Sequence, residues 1–187
     1  MKNKDTGRII KEGKGAKMNN VILIGMPGCG KSTCGVLLAK ALGMDFTDTD
    51  LIIQKNEKMS LQNIIAAKGN EYFARAEEKA VCSSLFSECV VATGGSVVYS
   101  SNAMRYLSEG GRIVYLKISY DTMIRRISNI ETRGILLRDG ETIAGMYETR
   151  QKLYEQYAEL TVDCSDLDTE KTVRAIMDAL QNSPEKE

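Results

Sequence analysis

The octapeptide Gly25-Met26-Pro27-Gly28-Cys29-Gly30-Lys31-Ser32 fits the pattern G-x-x-x-x-G-K-[ST]. Glycines at such spacing let a loop fold tightly enough for successive backbone N–H groups to converge on one anion. A helix opening at Lys31 adds the positive end of its dipole. The amides of Gly28, Cys29, Gly30, Lys31, Ser32 and Thr33 are thus candidates to cradle the phosphates of ATP. Lys31 would reach the β- and γ-phosphates as a point charge, and Ser32 would coordinate Mg2+. Cys29 offers the loop its amide only.

A second constellation follows at Asp48-Thr49-Asp50. Alternation along an extended segment predicts both carboxylates on one side. One could hold Mg2+ through water, and the other could orient a substrate hydroxyl or accept its proton. We assign Asp48 to the metal and Asp50 to the hydroxyl. The competing reading is a turn in which an aspartate caps the next helix.

Composition removes whole classes of chemistry. The 187 residues contain no histidine, which excludes Ser-His-Asp and Cys-His nucleophiles, histidine bases and histidine metal ligands. Acid–base work must rest on carboxylates, lysine or tyrosine. Lys+Arg and Asp+Glu both number 25, so no global basic field invites nucleic acid or an anionic membrane. The five cysteines form no C-x-x-C pair. That argues against a disulfide framework or a zinc site and for a reducing, cytoplasmic location. No apolar run approaches the roughly 20 residues of a membrane span.

The elements that must position these groups alternate strand and helix. Val21–Gly25 reads as a buried strand and Lys31–Leu42 as a helix stopped by Gly43. Met44–Asp48 reads as a strand, and Leu51–Ser87 as helix-rich with a break near Lys68-Gly69. Cys89–Thr93 is a third strand, ended by Gly94-Gly95. Further along come a helix at Asn102–Ser108, a strand at Arg112–Leu116 and a helix at Thr122–Ile130. Thr132–Gly140 reads as a loop. Gly145–Leu160 is helical, Leu160–Asp163 a fifth strand and Thr169–Leu180 the closing helix. This order predicts a three-layer α/β fold with a parallel sheet of about five strands. Ligands in such folds gather at the carboxyl ends of strands. One domain is expected over 20–180, with a disordered extension or cloning remnant at 1–19 and a frayed tail at 181–187.

Together these motifs resemble the shikimate kinase family of small P-loop kinases, from Asn20 to about Leu180. The likeness includes Gly69, Phe73 and Glu77 in the family's G-E-x-x-F-R-x-x-E segment, and Ala92-Thr93-Gly94-Gly95-Ser96 beside its A-T-G-G-G. It ends with Arg150-Gln151-Lys152-Leu153-Tyr154 beside R-x-P-L-Y. The resemblance implies a P-loop NTPase-type fold with a mobile lid at about 132–142. It also implies transfer of the ATP γ-phosphate to a ring hydroxyl of shikimate, and a monomer is expected. Under that likeness Asp50 contacts the acceptor hydroxyls, and Gly94 and Gly95 set their amides against the acceptor. Arg150 clamps its carboxylate, Arg133 closes over the phosphates from the lid, and Arg126 lies against adenine. Glu77 reads as structural, holding an arginine in place.

Three departures stand out. Ala74 occupies the family's second carboxylate-binding arginine position, and Arg75 lies one residue on. A helical step of about 100° points Arg75 elsewhere unless the helix shifts. Ser96 replaces a third glycine, and Gly134 follows Arg133 where the family carries proline. Losing one bidentate charged contact costs roughly two to three orders of magnitude in affinity. Either Arg75 or another cation substitutes, or the acceptor is a different small hydroxylated carboxylate or sugar acid. A nucleotide-binding module without catalysis is the remaining alternative.

Overall fold

Five parallel strands alternate with helices along the chain, as the hydrophobic pattern requires. The computed structural model describes residues 20–127 and 140–183. Arg133, Gly134, most of the expected lid and the stretches 1–19 and 184–187 lie outside the described residues. The elements are β1 (Asn20–Ile24), α1 (Lys31–Leu42), β2 (Asp45–Asp48), α2 (Thr49–Glu57) and α3 (Leu61–Cys82). Then come β3 (Cys89–Ala92), α4 (Ser101–Gly110), β4 (Gly111–Lys117), α5 (Tyr120–Ile127), α6 (Ile143–Tyr157), β5 (Leu160–Asp163) and α7 (Thr169–Asn182). A single 3-10 turn, Val97–Tyr99, sits between β3 and α4.

The strand order is β2-β3-β1-β4-β5, with Ile22 level with Val91 on one side and Ile113 on the other. Central strands β1 and β3 are buried along their whole length, and edge strands β2 and β5 are not. This is why the central strands read as continuous apolar runs. Helices α1 and α7 pack together on the sheet, and α3, α4 and α6 pack around β4 and the 3-10 turn, so both faces are covered. A smaller cluster of Ile53, Ile64, Phe73 and Ala80 joins α2 to α3.

Chain direction places the site. After β1 the chain travels towards β2, and after β3 it crosses to β4, so the loops leaving β1 and β3 part at the centre of the sheet. A crevice opens there, at the carboxyl ends of the strands. Gly25 begins one wall and Gly94 the other.

Two local details differ from expectation. The break at Lys68-Gly69 is a single non-helical residue, Gly69 at φ 81° and ψ 171°, within α3. Helix α2 starts at Thr49, two residues earlier than its apolar pattern suggested, because Asp48 caps it.

Asn20 is a buried clamp that sequence pattern did not reveal. Its Nδ2 donates to Phe86 O (3.0 Å) and Gly110 O (2.7 Å), and its Oδ1 accepts from Cys89 N (3.0 Å). One side chain thus ties the start of β1 to the entry of β3 and the end of α4. Asn20→Ala strands three polar groups, two buried and one part-buried, and should lower the unfolding free energy by roughly 3 kcal/mol, read by urea denaturation.

Candidate active site

The loop after β1 takes the shape its glycines permit. Gly25, Gly28 and Gly30 have φ of 148°, 78° and 97°, values that disfavour any residue with a side chain. A Cβ on Gly25 would also stand 2.6 Å from Leu116 O on β4. Lys31, the first residue of α1, is only 9% exposed. Its Nζ donates to Gly25 O (2.7 Å) and Met26 O (3.0 Å), with Cys29 Sγ at 3.6 Å. The ammonium group is therefore fixed against the carbonyls of the loop.

The cleft beyond it has a volume of about 280 Å³. Lys31, Ser32, Asp48, Asp50, Gly94, Gly95 and Arg150 all line it, together with Gly28 and Gly30. Ser32 and Asp48 bring oxygen-bearing side chains to the cleft lining, the donor type a hard divalent cation selects. This donor set would suit Mg2+, which ordinarily takes one or two protein oxygens and keeps several waters.

Asp48 and Asp50 share the cleft for a different reason from the one expected. Asp48 is the N-cap of α2 and accepts at 2.9 Å from the Asp50 amide. Asp50 sits in the first helical turn rather than on an extended strand, so strand alternation does not explain their placement. The capping geometry does, and the cap and the shared site are one arrangement.

The β3 loop forms the opposite wall. Thr93 Oγ1 donates to Leu23 O (3.0 Å), locking β3 to β1. The Gly94 amide donates to Thr49 Oγ1 (3.2 Å), so it is already engaged within the protein. What Gly94 supplies is space: a Cβ there would run into Glu77 Oε1 and lie 2.9 Å from Asp50 Oδ1. Gly95 is fixed by Tyr154, whose hydroxyl donates to Gly95 O at 2.6 Å. Tyr154 is itself stacked on Tyr115 at 5.0 Å.

Arg150 enters the cleft from α6. It is 1% exposed, its Nη1 lies 3.1 Å from where a Gly95 Cβ would be, and its guanidinium stands 5.3 Å from the Tyr99 ring. A solvated surface ion pair, the ordinary reading of its charged neighbours in sequence, does not describe it.

Four other expected residues, Arg75, Thr33, Arg126 and Cys29, lie outside the cleft lining. Arg75 is on the exposed face of α3, its side chain 71% exposed and 3.7 Å from Glu71. The helical step carries it away, and no local shift brings it back. Arg75→Ala should leave the acceptor KM within about twofold of wild type, since exposed ion pairs contribute little. Thr33 is exposed on the first turn of α1. Arg126 on α5 braces the back of the loop, donating to Gly28 O (3.4 Å) and Cys164 O (3.3 Å). The Cys29 side chain is buried under the loop. Burial pushes the neighbouring thiols up, Cys34 to about 11 and Cys164 to about 12, which keeps them protonated and unreactive.

Glu77 is the residue whose part the sequence concealed. It is buried in the cleft wall, where its Oε2 accepts from Ser96 Oγ at 2.7 Å. Burial raises its pKa to about 7. Gln54, Ser60 and Leu61 also line this end; nothing in their spacing marked them.

A family model described as shikimate kinase matches residues 27–181. The shikimate kinase of Sulfurihydrogenibium sp. (strain YO3AOP1) is 36% identical over 138 residues, covering 73% of this chain and 83% of its own. The chain belongs to the shikimate kinase family. The shikimate kinase of Moorella thermoacetica is 32% identical over 164 residues, 87% of this chain and 94% of that one. The family's architecture is shared as well: a solved shikimate kinase from Acinetobacter baumannii, in complex with shikimate, superposes with a TM-score of 0.81. That match covers 90% of this chain and 96% of the other at 24% identity, and speaks for the fold. As a family member the chain uses ATP.

Proposed function

We propose that this protein is a shikimate kinase, transferring the γ-phosphoryl group of ATP to a hydroxyl of shikimate. The observation that carries this reading is the convergence on one cleft of a phosphate loop with Lys31, a carboxylate at Asp50 and a buried arginine at Arg150. A small cavity with a few converging polar groups suits a small hydroxylated acid.

In this reading the loop amides and Lys31 hold the β- and γ-phosphates, while Ser32 and Asp48 would hold Mg2+. The metal supplies neutralisation of phosphate charge. Asp50 orients the acceptor hydroxyl towards the γ-phosphorus and accepts its proton late, as the new P–O bond forms and the bond to ADP breaks. Arg150 fixes the acceptor carboxylate with its planar fork. Arg133, outside the described residues, is proposed to close over the phosphates, and Arg126 to border the nucleotide from behind the loop. Catalysis is then positioning plus charge neutralisation. No helix among the described residues is long and apolar enough to cross a membrane, and we take the working form to be a cytosolic monomer.

A second acceptor remains in play for one reason. With Ala74 exposed and Arg75 turned to solvent, Arg150 is the arginine that lines the acceptor end among the described residues. A coupled ADP-release assay over shikimate, quinate and sugar acids decides. Turnover with shikimate supports the proposal, and turnover with another acid alone replaces it. Turnover with none favours a nucleotide-binding module without catalysis.

A further inference from the structure

The reaction as derived gives Glu77 no task, yet this carboxyl is built into the acceptor end. Glu77 is 3% exposed and lines the cleft. Its Oε2 accepts from Ser96 Oγ. Its Oε1 has no hydrogen-bond partner among the described residues. That atom and Asp50 Oδ1 both lie against the place a Gly94 Cβ would take. Charged and titratable groups face Glu77 from three other elements: Asp50 on α2, Lys31 at the start of α1, and Arg150 and Tyr154 on α6.

Among the described residues the charge balance at this end is unfavourable for an anion. Lys31 is engaged with the loop carbonyls and belongs to the phosphates. Arg75, the next cation along α3, faces solvent. Counting the described residues alone, an ionised Glu77 would therefore place its carboxylate and that of Asp50 beside the guanidinium of Arg150. An acceptor bringing a third carboxylate into that dry corner meets strong like-charge repulsion. A proton on Glu77 removes one of these negative charges from beside the incoming acceptor.

We propose that Glu77, held in place by Ser96, is a specificity-determining residue of the acceptor site that carries a proton whenever an anionic acceptor is bound. Acceptor binding and proton uptake are thereby coupled. This rests on the proposed reaction with a carboxylate acceptor. The titration of Glu77 agrees in direction. Burial raises it to about 7, the Ser96 hydrogen bond opposes this, Asp50 reinforces it, and Arg150 and Lys31 oppose it. Below that pH Glu77 is neutral and the acceptor binds well; above it the charged form repels the acceptor.

The test is the acceptor KM for shikimate from pH 6 to 9 at saturating ATP and Mg2+. In the wild type KM should climb above the midpoint, by up to about tenfold per pH unit. In Glu77→Gln, which keeps shape without charge, KM should stay low and flat. The uncharged methyl ester of shikimate should show a flat KM with the wild type. Ser96→Gly removes a contact that favours ionised Glu77, so its midpoint should move to higher pH. Proton uptake on shikimate binding, read by titration calorimetry in two buffers, gives the same information from the unmodified protein. Turnover with a pH-independent KM, or binding without proton uptake, overturns the coupling and leaves the reaction in place. A Glu77→Gln profile matching wild type also overturns it. No turnover with shikimate at any pH overturns the reaction and this inference with it.

Discussion

Replacing Lys31 by methionine should lower kcat by at least about 1,000-fold, the scale set by removing a preorganised charge from phosphoryl transfer. The reason is placement. The Lys31 ammonium is 9% exposed and fixed by the Gly25 and Met26 carbonyls at 2.7 and 3.0 Å. Its position is set before any phosphate arrives, so little reorganisation accompanies the developing charge. Methionine keeps the apolar stem and loses the charge. The far-ultraviolet circular dichroism should stay close to wild type, which separates a lost catalyst from a lost fold, while the Tm falls because the Gly25 and Met26 carbonyls lose their donor. A kcat within tenfold of wild type would remove Lys31 from the chemistry.

Arg150→Lys should raise the acceptor KM by roughly 100-fold while leaving the KM for ATP within about twofold. Lysine preserves the charge, so the change isolates the fork. In the protein that fork is 1% exposed, with Nη1 beside Gly95 and Nε donating to Tyr99 Oη at 3.4 Å. A single ammonium cannot reproduce two parallel N–H bonds to a carboxylate. The split between the two KM values is the informative readout. An equal rise in both would point to a disturbed cleft wall instead of a lost contact.

The phosphate end of this site was legible in the sequence because backbone geometry carries it. Glycines at 25, 28 and 30 are demanded by their positive φ, so residue type and conformation are nearly one statement there. The strands were legible for a similar reason: β1 and β3 are buried on both faces and read as unbroken apolar runs. Asp48 and Asp50 were found, but by strand alternation, when a helix cap is what sets them side by side. Local spacing located them and could not choose between two local geometries.

The acceptor end was harder because its contacts cross the chain. The Ser96–Glu77 bond joins residues 19 apart, Tyr154–Gly95 joins residues 59 apart, and Asn20 reaches 66 and 90 residues along. No periodicity encodes such pairs. Arg75 shows the converse: the right residue type one position off, which on a helix is enough to send it to solvent. Arg150 looked like a surface charge because its neighbours in sequence are charged, yet α6 turns it inward.

In this cleft one phosphoryl group should pass from ATP to shikimate. Incubating the protein with ATP, Mg2+ and shikimate and weighing the products by mass spectrometry tests it most directly. One singly phosphorylated shikimate should appear for each ADP formed, with no ADP beyond background when shikimate is left out. ADP released at the same rate without shikimate, or with shikimate recovered unchanged, would contradict it.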